Sequence, residues 1–280
     1  MKIDHDSSLF AGETLNLPPF IELFSKPDGA VEFAEDWYSY NTTSHFWFDW
    51  RFRAVKKLLA TAKLPLDKNL AVLDIGCGTG IVREQLEGYT AWTIDGTDLN
   101  LGALARIKPG RGRTFYYDIL TRRPELKERY DVVILFDVIE HLETTRAFLE
   151  AVAFHIKPGG ALLINVPALE SLRSVYDKVV GHYRRYDKAM MSAEIEAAGL
   201  TVRDLRYWGF SMVPLLKLRQ MNLKRKDTTG PAAVAAIVKS GFQPPGAVTH
   251  ALLKTIMRVE SALLTRPPAG SSLLCWIERS

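Results

Sequence analysis

A chain of 280 residues can bury one substantial core, or a core with a smaller appendage. Its 47% hydrophobic and 24% charged residues exclude a disordered or fibrous chain, and a scattered net charge of +4 demands no nucleic-acid partner. No apolar run approaches a membrane span, the opening residues lack a secretory layout, and Cys77 and Cys275 form no metal spacing or disulfide framework, so a cytoplasmic setting is expected.

Residues 1–66 predict an aromatic-rich N-terminal lid segment. Pro18, Pro19 and Pro27 break any long early helix, and a cluster of rings comes next at Trp37, Tyr38, Tyr40, Phe46, Trp47, Phe48, Trp50 and Phe52. Apolar spacing through Trp47, Trp50, Ala54, Leu58 and Ala62 predicts a helix over 46–63, ended by Leu64-Pro65. The segment either packs on the core or walls a ligand pocket, with Tyr38, Tyr40 and Arg51 facing inward.

Residues 72–80, VLDIGCGTG, organise the rest of the chain. An apolar strand over 70–75 runs into Gly76, Gly78 and Gly80, and an amphipathic helix begins at Ile81. Residues without Cβ let backbone approach a small molecule, and the helix start points N–H groups into the same crevice. Dinucleotide folds use G-x-G-x-x-G, with the pyrophosphate on the helix N-terminus. Here the spacing is D-x-G-x-G-x-G, and the Asp74 carboxylate suits an ammonium group and repels a pyrophosphate. The pattern resembles motif I of the class I S-adenosylmethionine-dependent methyltransferases.

A second strand is predicted over 90–94. Asp98 falls about twenty residues past the glycines, where an acid binds both ribose hydroxyls; Asp95 competes for that role. A helix over 99–107 leads to a third strand over 114–117, ending in Asp118-Ile119. Residues 130–136, YDVVILF, form the most hydrophobic strand and run into Asp137-Val138-Ile139-Glu140-His141-Leu142. A helix over 144–156, a K-P-G-G turn and a fifth strand over 161–166 complete the second match to the family. Helices are predicted over 172–180 and 189–198, interrupted by His182-Tyr183-Arg184-Arg185-Tyr186-Asp187. A sixth strand is expected over 201–207 and a seventh, antiparallel between strands five and six, over 272–277. Between those two lies a helical insertion over 211–270, with a basic helix (212–226) and an amphipathic one (248–264) that packs on the core, forms a dimer face or touches a membrane surface.

The expected fold is therefore α/β: a seven-stranded, mostly parallel Rossmann-like methyltransferase sheet with its last strand antiparallel, helices on both faces and an added helical cap. The cofactor core would comprise 67–210 and 271–280. The resemblance implies S-adenosyl-L-methionine as cofactor, S-adenosyl-L-homocysteine as product and a small-molecule acceptor methylated on O, N or C. It places the cofactor among Tyr38, Arg51, Asp74, Gly76, Cys77 and Gly78, then Asp98, Leu99, Asp118, Ile119, Phe136 and Asp137. In the family an arginine of the lid holds the methionine carboxylate, an acid at the position of Asp118 takes the adenine amino group, and the next apolar residue packs on the ring; Asp118 is otherwise a helix cap. A hydroxyl acceptor needs a base, and His141 is placed for that, unless it bonds backbone. Tyr183 and Arg184 would form an acceptor-side wall, in a segment that resembles a group of bacterial methyltransferases. The default expectation is a metal-free site in a monomer or homodimer. Asp137, Glu140 and His141 offer the metal alternative, similar to the E-x-x-E-H of the ubiquinone-biosynthesis O-methyltransferases.

Overall fold

The computed structural model describes residues 17–26, 42–223, 236–237 and 246–280. Its strands are β1 (Ile21–Leu23), β2 (Ala71–Ile75), β3 (Thr93–Asp98), β4 (Thr114–Tyr116), β5 (Tyr130–Phe136), β6 (Ile156–Pro167), β7 (Thr201–Trp208) and β8 (Ser272–Glu278). They form one sheet in the order β1-β4-β3-β2-β5-β6-β8-β7. All pairings through β6 are parallel, and β8 runs antiparallel to both β6 and β7. The seven expected strands are present. The eighth, β1, lies on the edge beside β4.

Both sheet faces are covered, which explains the continuous apolar runs in the sequence. On β5, Val133 and Leu135 join one core with Leu73, Ile75, Leu162 and Ile164. Val132 and Ile134 join the opposite core with Val72, Leu163, Trp92 and Leu274. β3 begins three residues later than its sequence predicts because Ala71–Ile75 pair with Thr93–Thr97, which carries the strand through Asp95 and Gly96 to Asp98. Lys157–Gly160 is a bulge inside β6 rather than a simple turn: pairing with β5 jumps from Tyr130–Ile156 to Val132–Ala161.

The helices are α1 (Phe46–Ala62), α2 (Ile81–Glu87), α3 (Leu101–Leu104), α4 (Arg146–His155), α5 (Val175–Val179), α6 (Lys188–Ala197), α7 (Met212–Leu223) and α8 (Ala247–Leu263). His45 caps α1 by accepting from the Trp47 N–H at 3.3 Å, and Lys63, at φ 53°, turns the chain out of it. The rings of α1 meet Trp208 at the end of β7: Trp47 at 4.8 Å and Trp50 at 6.2 Å between centroids. α8 packs on α1, where Lys57 donates to the carbonyls of Ser261 and Leu264 near its C-terminus. Glu260, 6% exposed, accepts from the N–H groups of Gly209 (3.0 Å), Phe210 (3.0 Å) and Ser211 (2.7 Å) and from the Ser211 hydroxyl (2.6 Å). One carboxylate thereby ties α8 to the chain that enters α7. No helix among the described residues is long and apolar enough to cross a membrane.

Candidate active site

The sheet order reverses between β2 and β5, and ligands of open α/β sheets bind outside the strand carboxyl ends at such a point. A cavity of about 730 Å3 lies there. Its floor comes from the ends of β2 to β6 and its roof from His45, Phe46, Trp47, Phe48 and Arg51. α7 closes one side with Met212, Leu216 and Arg219.

The glycine loop comes directly after β2. Gly76 has φ 73°, and a Cβ there would fall 2.4 Å from Val138 Cγ2; Gly78 has φ 54°, and a Cβ there would meet nothing within 4 Å. The first glycine is needed for packing and the second leaves space. Cys77 also lines the cavity, but its thiol is buried and burial pushes its pKa well up, so it is an inert neighbour. Asp74 sits behind the loop, 1% exposed and outside the cavity lining, with Oδ2 lacking any hydrogen-bond partner among the described residues. Burial raises its pKa to about 7, against the pull of Arg51 and Arg83.

Asp98 and Leu99 line the cavity. Asp98 Oδ2 accepts from the Gly78 N–H at 2.7 Å and Oδ1 from the Asn100 N–H at 2.8 Å. Burial raises its pKa while these N–H groups pull it down. Asp95 is used elsewhere, accepting from the Arg113 N–H (2.8 Å) and the Tyr130 hydroxyl (2.9 Å). Asp118 caps a short turn through the Leu120 N–H at 3.0 Å and also lines the cavity. Ile119 and Phe136 line it as well, Ile119 only 2% exposed.

Arg51 and Asp137 are brought together. Arg51 Nη1 donates to Asp137 Oδ2 at 2.6 Å, and its guanidinium lies 5.1 Å from the Phe48 ring centroid and 5.3 Å from that of Phe136. Asp137 Oδ1 accepts from Asn165 Nδ2 at 2.7 Å, and Asn165 Oδ1 accepts from Trp208 Nε1 at 2.8 Å. Arg51 is thus already paired rather than waiting for a carboxylate. Asp137 has one oxygen on each neighbour, so the metal set Asp137–Glu140–His141 does not assemble. Tyr38 lies outside the described residues.

At the far end of the cavity stand Glu140, His141 and His182. The two imidazoles meet edge to face at 4.8 Å. Burial, with His182 alongside, drops the His141 pKa to about 4 and keeps the ring neutral near pH 7. Glu140 is 1% exposed; burial and the nearby Asp137 push its pKa well up, and Oε2 has no hydrogen-bond partner among the described residues. His182 Nδ1 lies 3.1 Å from Asp177 Oδ1, and Asp177 also accepts from Arg185 Nε at 2.7 Å.

Tyr183 and Arg184 do not line this cavity. The Tyr183 N–H is tied to the Glu140 carbonyl at 2.7 Å while its side chain is exposed. Arg184 reaches the Leu142 and Glu143 carbonyls and Glu194. From this segment it is His182 and Arg185 that face inward. Arg219 is a cavity residue that spacing does not single out. It lies over the Tyr176 ring at 4.6 Å, and its Nη2 lacks a hydrogen-bond partner among the described residues. The basic helix around it is the only signal in the sequence.

A family model described as a methyltransferase domain matches residues 47–205, from α1 into β7. The chain belongs to this methyltransferase family. Over 153 residues it is 33% identical to the ubiquinone biosynthesis O-methyltransferase of Rickettsia canadensis, covering 49% of this chain and 65% of that one. The enzyme of the same name from Methylobacterium nodulans is 31% identical over 159 residues, covering 50% and 63%. A third, from Rickettsia conorii, is 32% identical over 118 residues, covering 38% and 41%. The chain therefore spans less than two thirds of each of these methyltransferases. Among solved structures, a chain of the complex formed by the Haloferax volcanii Trm112 methyltransferase activator superposes with a TM-score of 0.57 at 16% identity, covering 89% of this chain and 99% of that one. That likeness is one of fold.

Proposed function

We propose that this methyltransferase carries a methyl group from S-adenosylmethionine to an oxygen of a small-molecule acceptor. The observation that carries the reading is one continuous cavity joining the glycine loop and Asp98 at one end to Glu140, His141 and His182 at the other. The residues fit the cofactor. Gly78 leaves room for it, and Asp98 presents a carboxylate already fixed by two N–H bonds. Asp98 would accept from the ribose diol, and Asp118 with Ile119 would frame the base. When bound, S-adenosylmethionine supplies a methyl group activated by its cationic sulfur.

The chain's own work is then alignment and exclusion of water. The α1 rings roof the cavity and the Arg51–Asp137 pair braces that roof against β5 and β6. α7 serves as a cap on the acceptor end, where Arg219, whose Nη2 has no hydrogen-bond partner among the described residues, would meet an anionic or polar group of the acceptor. Transfer to oxygen is favoured over nitrogen or carbon because the Rickettsia and Methylobacterium relatives are named as O-methyltransferases.

Titration calorimetry with S-adenosylhomocysteine tests the cofactor half. The wild type should bind it, and Asp98→Ala should lose roughly tenfold to hundredfold in affinity, the worth of hydrogen bonds to a charged group. Unchanged affinity in that variant removes the assignment. Labelled methyl transfer to a panel of phenolic and alcoholic acceptors tests the other half.

A further inference from the structure

We propose that Glu140, His141 and His182 bind one divalent first-row transition-metal ion, through a carboxylate oxygen and two imidazole nitrogens. The site stands on geometry alone; only its role at the acceptor end rests on the methyl-transfer reading.

One ligand atom from each of the three residues lies within 4.8 Å of the others. They come from separate parts of the chain, Glu140 and His141 after β5 and His182 after α5, yet converge on one wall. Glu140 supplies the second observation. It is 1% exposed, lines the cavity, and Oε2 has no hydrogen-bond partner among the described residues. A bare buried carboxylate is costly, and a cation removes that cost.

Both rings are prepared for ligation. Asp177 can only accept, so His182 carries its proton on Nδ1, 3.1 Å from Asp177 Oδ1, and presents Nε2 as a lone pair. This is the carboxylate–histidine arrangement that orients metal-bound imidazoles. Asp177 is itself fixed by Arg185 Nε and by the Ser174 N–H, each at 2.7 Å. A backbone hydrogen bond at Gly181 holds the His141 ring in place, and the two imidazoles meet edge to face at 4.8 Å. Asp137, the third ligand that the D-x-x-E-H spacing offers, is occupied by Arg51 and Asn165. His182 takes its place.

Two nitrogens and one oxygen suit Zn2+, Co2+, Fe2+ or Mn2+ better than Mg2+, which prefers oxygen ligands and water. Three protein ligands leave positions open toward the cavity. An acceptor oxygen would fill one of them, and a metal-bound hydroxyl is more acidic than a free one.

The test uses the tag-free full chain, stripped by chelator and titrated with Co2+ in an anaerobic cell, reading visible absorption, with Zn2+ calorimetry in parallel. The wild type should bind one ion per chain. Glu140→Gln and His182→Asn should each weaken binding by roughly tenfold or more, and Asp177→Asn by about tenfold through the orientation of His182. Asp137→Asn should bind like the wild type. His182→Cys should restore affinity and add a thiolate-to-cobalt band, which a merely structural histidine would not do. Circular dichroism on each variant keeps misfolding apart from lost ligation. The proposal is overturned if the wild type binds no stoichiometric ion, if Glu140→Gln and His182→Asn bind as tightly as wild type, or if Asp137→Asn loses the ion while His182→Asn keeps it. Methyl transfer is not read, so failure here leaves the cofactor assignment standing.

Discussion

Two glycines in the loop after β2 separate folding from binding at the scale of single residues. Alanine at Gly76 would carry the strain of φ 73° and drive a methyl group into Val138. Gly76→Ala should therefore cost about 2–4 kcal/mol of stability in denaturant melts. Alanine at Gly78 meets open space, so Gly78→Ala should cost about 1 kcal/mol, the strain of a left-handed residue. Its larger effect should be on cofactor affinity, since the new methyl group projects into room that the ligand needs. His155 supports a separate prediction about pH. It is fully buried, Nδ1 donates to the Ala151 carbonyl at 2.7 Å, and Nε2 accepts from the Tyr117 hydroxyl at 3.0 Å. Burial lowers its pKa to about 4, whereas in the unfolded chain it lies near 6.5. Between those values the unfolded state binds more protons, so stability falls as pH drops from about 6.5 toward 4, by up to about 3 kcal/mol. Above 6.5 the residue adds no slope. Denaturant melts at pH 7.5, 6 and 5 should show the decline, and His155→Gln should flatten it by one proton's worth.

At the scale of elements, what the sequence reveals depends on how far away the deciding contact lies. β5 and the apolar part of β6 are legible because burial on both faces writes itself into every residue. β3 is not, since Asp95, Gly96 and Asp98 are poor strand formers and only pairing with β2 recruits them. β1 has three residues, too few to show a period. The candidate site divides the same way. Its glycine loop, Asp98 and His141 follow local spacing, while the Asp137–Asn165 and His182–Asp177 bonds come from the tertiary fold. Tyr183 and Arg184 are misread for that reason: composition flags the segment but not which of its residues turn inward. Glu260 is another contact that spacing could not disclose. Glu260→Ala would leave three N–H groups and a hydroxyl without their acceptor, and should lower stability by about 3 kcal/mol. Limited proteolysis should then cut preferentially near the start of α7.

Across the whole molecule, Arg51, Asp137, Asn165 and Trp208 form a hydrogen-bonded chain from α1 through the ends of β5 and β6 to β7. The roof of the cavity and the sheet beneath it are thereby one mechanical unit. The placement of β8 has a different consequence, for biosynthesis. β8 lies between β6 and β7 and is, among the described residues, the only strand that pairs with β7, yet Ser272 comes 64 positions after Trp208. While the polypeptide is being made, the parallel half of the sheet can close around nascent β2 to β6. β7 must meanwhile leave the ribosome with both edges bare. A pause in translation between the two would expose an unpaired strand ending in Tyr207 and Trp208 to chaperones or to its own neighbours on the polysome.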